Sequence, residues 1–125
     1  MKVFKFGGAS VRDTSGVKNL VSVLKEVGFE NTLVVVSAMG KTTNALEKII
    51  DNYFNESINH LDGLIELKQH HIEIAKNLFK NESSKIEEII HNLFEELNGF
   101  LKSNKSLDYS FVYDQVVSIG EILSS

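Results

Sequence analysis

The sequence predicts a helix-rich α/β fold with a short, incomplete parallel sheet, and three observations carry that prediction. Residues 1–6 form an apolar stretch too short for a helix, and residues 32–37 (TLVVVS) form a continuous β-branched run. A 3–4 apolar spacing then persists from residue 44 to about 101 with few breakers. The last stretch, residues 108–125, returns to mixed apolar residues and ends mid-pattern at Ile122-Leu123-Ser124-Ser125.

Each element follows from its own residues. Residues 1–6 read as a first strand. Residues 14–27 read as an amphipathic helix with Val17, Leu20, Val21 and Leu24 on its apolar side, stopped by Gly28. The run at 32–37 has the composition of a parallel strand buried on both faces. Strand, helix and strand within 37 residues make a βαβ unit, whose two strands carry their following loops to one sheet edge. Three further helices are expected at 45–54, 58–79 and 84–101, the last with a cap-rich turn (Asn81-Glu82-Ser83-Ser84) before it and Gly99 fraying its end. So many helices exceed what a simple crossover needs, which implies an insertion or a helical layer beside the sheet. Asp114, Ser118 and Glu121 fall at helical spacing near the end. Two strands with four or five helices do not complete a doubly wound sheet, and the chain reads as the N-terminal piece of something longer.

Composition bounds the function. The chain has 125 residues, 42% of them apolar and 24% charged, in the range of a folded globular protein. A net charge of −4 with interspersed signs gives no reason to expect nucleic acid or an anionic membrane as a partner. The absence of cysteine excludes disulfides and thiolate catalysis and suits a reducing cytoplasm. No signal-peptide pattern opens the chain, and no apolar run approaches membrane-spanning length. Proline is missing where about six would be ordinary, which suits a chain rich in helices.

The candidate chemistry lies on the two loops. Lys5-Phe6-Gly7-Gly8-Ala9-Ser10 sets a lysine before two glycines that can adopt angles closed to other residues and let a ligand approach the main chain. Ser10 is placed to cap the next helix, leaving amides and a positive dipole end at the same spot. Such a corner suits phosphate, although the same residues also describe a plain strand-to-helix turn with a surface lysine. The second loop, Ala38-Met39-Gly40-Lys41-Thr42-Thr43, contains a GKT triplet. A P-loop needs a glycine at position 35, which is Val35, so the P-loop is rejected. What remains is a hydroxyl-rich loop leading into a helix that Thr43 or Asn44 is placed to cap. Glu66 and His70 stand at i, i+4 without a third metal ligand. Together with His71, Glu73 and the Glu87-Glu88 and Glu95-Glu96 pairs, they read as solvated helix surface.

Three segments, 5–11 (KFGGASV), 34–44 (VVVSAMGKTTN) and 117–124 (VSIGEILS), together resemble the aspartate kinases of the amino-acid kinase family. The resemblance spans the chain from its first strand to its end. Ala9 stands where the family more often has threonine, leaving Ser10 as the hydroxyl of that loop. The resemblance implies the N-terminal, aspartate-binding part (residues 1–125) of a carbamate-kinase-like three-layer αβα domain with a helical insertion. It implies transfer of the γ-phosphoryl group of MgATP to the side-chain carboxylate of L-aspartate, the first step toward lysine, threonine and methionine. By resemblance, Lys5 lies against the transferred phosphoryl group, with Gly7, Gly8 and Ser10 completing the phosphate cradle. Ser37 and Thr43 hold the aspartate carboxylates, Ala38 lines that pocket through its backbone, and Glu121 pairs with the α-ammonium. The family's nucleotide-binding half, most of its ATP and Mg2+ apparatus and its regulatory ACT domains are expected beyond residue 125, so a chain of these residues alone is expected to be inactive. The full-length protein is expected to be a cytoplasmic homo-oligomer. The alternatives are a glutamate or acetylglutamate kinase, a kinase fused to homoserine dehydrogenase, and a non-catalytic aspartate-binding fragment.

Overall fold

The computed structural model describes residues 1–125. Strand β1 (Lys2–Phe6) leads through a loop into helix α1 (Thr14–Val27), which returns the chain to strand β2 (Thr32–Val36). The strands pair in parallel, Lys2 opposite Thr32 through Phe6 opposite Val36. Four helices follow: α2 (Thr42–Phe54), α3 (Asn59–Phe79), α4 (Ser84–Ser103) and α5 (Tyr109–Ser124), with one 3-10 turn (Lys80–Glu82) between α3 and α4. The order through α4 is the one expected from the sequence, and the mixed stretch at 108–125 forms a fifth helix, α5.

The caps differ from expectation. Asp13, not Ser10, caps α1, its Oδ1 accepting from the Gly16 amide at 2.8 Å. A carboxylate one residue before the helix reaches that amide, whereas Ser10 lies three residues further back. Helix α2 begins at Thr42 with no side-chain cap, so neither Thr43 nor Asn44 serves as one. Gly99 lies inside α4, which runs on to Ser103, because Phe94, Leu97 and Leu101 are buried on both sides of it and outweigh the propensity cost of one glycine. Asp108 caps α5 by accepting from the Ser110 and Phe111 amides, and this starts a helix of sixteen residues.

Helix α2 packs on α3, α3 on α4, α4 on α5, and α5 returns to α2, so the helical insertion closes as a four-helix bundle beside the sheet. Its core is one cluster of twelve buried apolar side chains, with Leu46, Ile50, Val112 and Val116 fully enclosed. A smaller cluster of Val11, Met39 and Ile74 joins the sheet to α1 and α3, with Phe6, Val17, Leu20 and Val36 packed around it.

Two burial expectations need correction. β2 is not buried on both faces: Leu33, Val34 and Val35 are 50%, 37% and 40% exposed. Strand alternation turns Phe6 and Val36 toward the small cluster, while Val3, Lys5, Leu33 and Val35 share a face that no other element of this chain covers. His71 is not surface. It is 2% exposed between Leu67 and the Phe94 ring, with Nδ1 2.9 Å from the Leu67 carbonyl oxygen. A carbonyl only accepts, so Nδ1 carries the proton and donates, and Nε2 is buried without a partner. Burial pushes the His71 pKa below its ordinary value. No three His, Asp or Glu side chains gather closely enough to hold a metal ion.

Candidate functional site

Parallel pairing carries the chain off β1 and β2 in the same direction, so the loops at residues 7–13 and 37–41 meet at one sheet edge. They are fastened by main-chain hydrogen bonds. The Ser37 amide extends the ladder by donating to the Phe6 carbonyl at 3.0 Å, and the Gly40 amide donates to the Gly8 carbonyl at 2.9 Å. Within the first loop the Ser10 amide donates to Gly7, and within the second the Thr42 amide donates to Met39, both at 2.9 Å.

This fastening explains Gly8 differently from the sequence expectation. Neither Gly7 nor Gly8 has a left-handed φ. Gly8 is needed for space: a Cβ there would stand 2.9 Å from the Ala38 carbonyl oxygen and 3.1 Å from that of Gly40. The left-handed residue is Gly40, with φ +51°, packed against the Arg12 backbone. Gly7 has open space where a Cβ would be, so its main chain is approachable from outside.

The side chains singled out in the sequence fall around this edge. Lys5, opposite Val35 in the ladder, is exposed, and neither ion pair (Arg12–Asp13 or Lys76–Glu87) involves it. Ser10 is exposed, Ser37 half-buried and Ala38 buried. Thr43 is half-buried in the first turn of α2, beside the buried Thr42. Amides at an uncapped helix start favour an anionic partner. The late segment also comes here. A Cβ on Gly120 would stand 3.1 Å from the Ala38 Cβ, 3.3 Å from Leu46 Cδ1 and 3.4 Å from Thr42 Cγ2. That contact puts Gly120 on the second loop and the exposed Glu121 beside it.

Helix α5 is held against α2 further back by two tyrosine–carboxylate bonds. Tyr113 donates to Glu47 at 2.8 Å and Tyr109 to Asp51 at 3.0 Å. Accepting carboxylates favour the neutral phenols, and both tyrosine pKa values are raised above the ordinary value mainly for that reason. The sequence reading missed Asp13 and Gly16 as groups that build this edge, and it gave Gly40 and Gly120 no packing role. Gly16 admits the Ser10 carbonyl, which would lie 2.5 Å from a Cβ. A glycine inside an otherwise helical pattern was the available signal, since it costs helix stability and asks for a packing reason.

Two loops meeting at the edge of a parallel βαβ unit, with a helical bundle beside it, make this an α/β domain, and the model of the amino acid kinase family matches residues 1–125. The chain belongs to that family. Among its relatives, chloroplastic aspartokinase 2 of Arabidopsis thaliana is 32% identical over 126 residues, covering 98% of this chain and 23% of the relative. The bifunctional aspartokinase/homoserine dehydrogenase of Buchnera aphidicola is 30% identical over 133 residues, covering 99% of this chain and 16% of the relative. The fold is similar to that of E. coli aspartokinase III in complex with aspartate and ADP (R-state), with a TM-score of 0.83, 24% identity, and coverage of 99% of this chain and 27% of that one. The same enzyme in complex with lysine and aspartate (T-state) gives a TM-score of 0.82. This chain therefore spans about a quarter of the length of aspartokinase 2 and of the aspartokinase III chains. No helix is long and apolar enough to cross a membrane.

Proposed function

We propose that residues 1–125 are the aspartate-binding part of an aspartokinase, which transfers the γ-phosphoryl group of ATP to the side-chain carboxylate of L-aspartate, giving 4-phospho-L-aspartate. The observation that carries this reading is the junction of the two loops: Gly40 bonded to Gly8, and Gly120 packed on Ala38, bring the phosphate-type corner, the hydroxyl loop and Glu121 to one sheet edge. In the reaction an aspartate carboxylate oxygen attacks the γ-phosphorus. The bond from that phosphorus to the bridging oxygen breaks, and its electron pair leaves on ADP. Such a transfer needs positioning and charge neutralisation more than covalent help.

The unpaired Lys5 and the open Gly7 main chain suit the moving phosphoryl group, with Gly8 and Ser10 closing the cradle. Ser37, Thr43 and the open end of α2 suit the aspartate carboxylates, and Ala38 contributes its backbone. Glu121 supplies the counter-charge that a desolvated α-ammonium requires. No three His, Asp or Glu side chains among these residues stand together as a ligand group for Mg2+. On this reading the metal, the adenine site and any regulatory domains belong to the further length that the relatives have.

A homo-oligomer and a cytoplasmic setting complete the proposal, the latter on the absence of cysteine; the plastid is the compartment named among the relatives. The relative fused to homoserine dehydrogenase supports a bifunctional parent as the second reading. The test is twofold. The full-length enzyme is expected to form aspartyl phosphate from ATP and L-aspartate in preference to glutamate or acetylglutamate. The 125-residue chain is expected to show no turnover, and calorimetry on it is expected to give binding of aspartate without binding of ATP. Turnover by the short chain at the full enzyme's rate, or a preference for glutamate, would refute the reading.

A further inference from the structure

We infer that Gly120 is a positioning residue: its missing side chain sets how closely α5 approaches the second loop, and so where Glu121 stands relative to the aspartate pocket. The inference rests on the proposed role of Glu121 and adds the residue that fixes its place. Val112, Val116 and Gly120 are all buried and follow one another at i, i+4, i+8, so they form one stripe of α5, turned toward α2. Two of the three are β-branched, and at the third the stripe has no side chain. There the nearest atoms are the Ala38 Cβ, Leu46 Cδ1 and Thr42 Cγ2, at 3.1, 3.3 and 3.4 Å from an added Cβ.

None of those three atoms belongs to a flexible surface chain. Ala38 and Thr42 flank the second loop, 4% and 2% exposed, and Leu46 is fully enclosed. Helix α5 is already tied to α2 by Tyr113 and Tyr109, about two and three turns earlier. With that end held, a methyl group at position 120 is accommodated by tilting the last turn of α5 or by shifting Ala38. Either displacement changes the separation between Glu121 and the Ser37–Thr43 side of the pocket. A glycine at this point also costs helix propensity, a cost that close approach explains and mere exposure would not.

The test is a volume series read by steady-state kinetics in the full-length enzyme. Gly120→Ala is expected to raise the aspartate KM about threefold or more and Gly120→Val more than about tenfold, with the ATP KM unchanged and kcat altered less than the aspartate KM. Ala38→Gly removes the nearest atom, and in the Gly120→Ala background it is expected to lower the aspartate KM back toward the parent value. KM does not depend on the concentration of folded enzyme, and kcat is taken per folded molecule, with the folded fraction read by circular dichroism, so loss of folded protein leaves both comparisons intact. An aspartate KM within about twofold of the parent in Gly120→Val, while Glu121→Ala raises it strongly, overturns the inference alone. A normal aspartate KM in Glu121→Ala overturns the role of Glu121 and this inference with it.

Discussion

The four-helix bundle buries twelve apolar side chains in one continuous cluster, whereas the sheet edge that carries Lys5, Ser37 and Thr43 has a buried core of only Val11, Met39 and Ile74. The bundle is held by side-chain volume. The edge is held by main-chain bonds, Ser37 to Phe6 and Gly40 to Gly8, and by backbone brought close where glycines leave room. The two modes suit different tasks. Close apolar packing makes the bundle rigid and supplies most of the free energy, while backbone bonds keep loop atoms in place and leave polar groups facing outward. The contact at Gly120 is where the rigid bundle meets the edge.

Substitutions can break that comparison. The largest effect is expected for Ile50→Ala, deep in the bundle and fully enclosed. It should cost about 2–5 kcal/mol of unfolding free energy in denaturant titration, with the aspartate KM of the folded enzyme unchanged. A shift in KM would mean that the bundle sets the pocket directly.

Lys5→Ala is the opposite case. Lys5 is exposed and has no ion-pair partner, so stability should be unaffected. Under the proposed function, kcat should fall by about a hundredfold, with a much smaller effect on aspartate binding. Near-normal kcat would reduce Lys5 to a surface residue of the turn.

Asp13→Ala removes the cap of α1 beside the first loop and should cost about 1 kcal/mol, measured as a lower midpoint in urea. If the edge is fastened by its backbone bonds, that loss should leave kcat largely intact.

The smallest effect is a pH dependence from His71. Its folded pKa lies below the unfolded value because burial disfavours the charged ring. The unfolded chain therefore takes up the proton first as pH falls. The contribution of neutral His71 to stability is complete above about pH 6.5 and is lost as pH drops from there toward the lower folded pKa. His71→Leu should flatten that part of the stability profile, and an unchanged slope between pH 7 and 5 would show that other groups cause it.

Much of the fold could be read in advance because periodicity reports local geometry. β-branched runs mark strands, 3–4 spacing marks helices, and the order of elements follows. Partners across the fold were less legible. The run at 32–37 reads as doubly buried, but burial depends on what covers each face, and one face of this two-stranded sheet leaves Val3, Leu33 and Val35 exposed. His71 lies among charged residues in sequence, yet the approach of α4 to α3 encloses it. Ser10 and Thr43 have cap chemistry. Whether a hydroxyl caps depends on the dihedral path into the helix, and Asp13 and an uncapped start at Thr42 won those places.

By itself the sequence determined the βαβ opening, the long helical stretch, the exclusion of a P-loop and the residue types available for phosphate and aspartate, because each is a property of composition or spacing along the chain. The Gly8–Gly40 bond, the closure of four helices into a bundle and the packing of Gly120 on Ala38 were decided only by the tertiary structure. They join residues 32 and 82 positions apart in the two glycine contacts, and no local pattern encodes such a distance. A glycine in sequence announces only that a side chain is absent. The fold determines which atoms come to occupy the space it leaves.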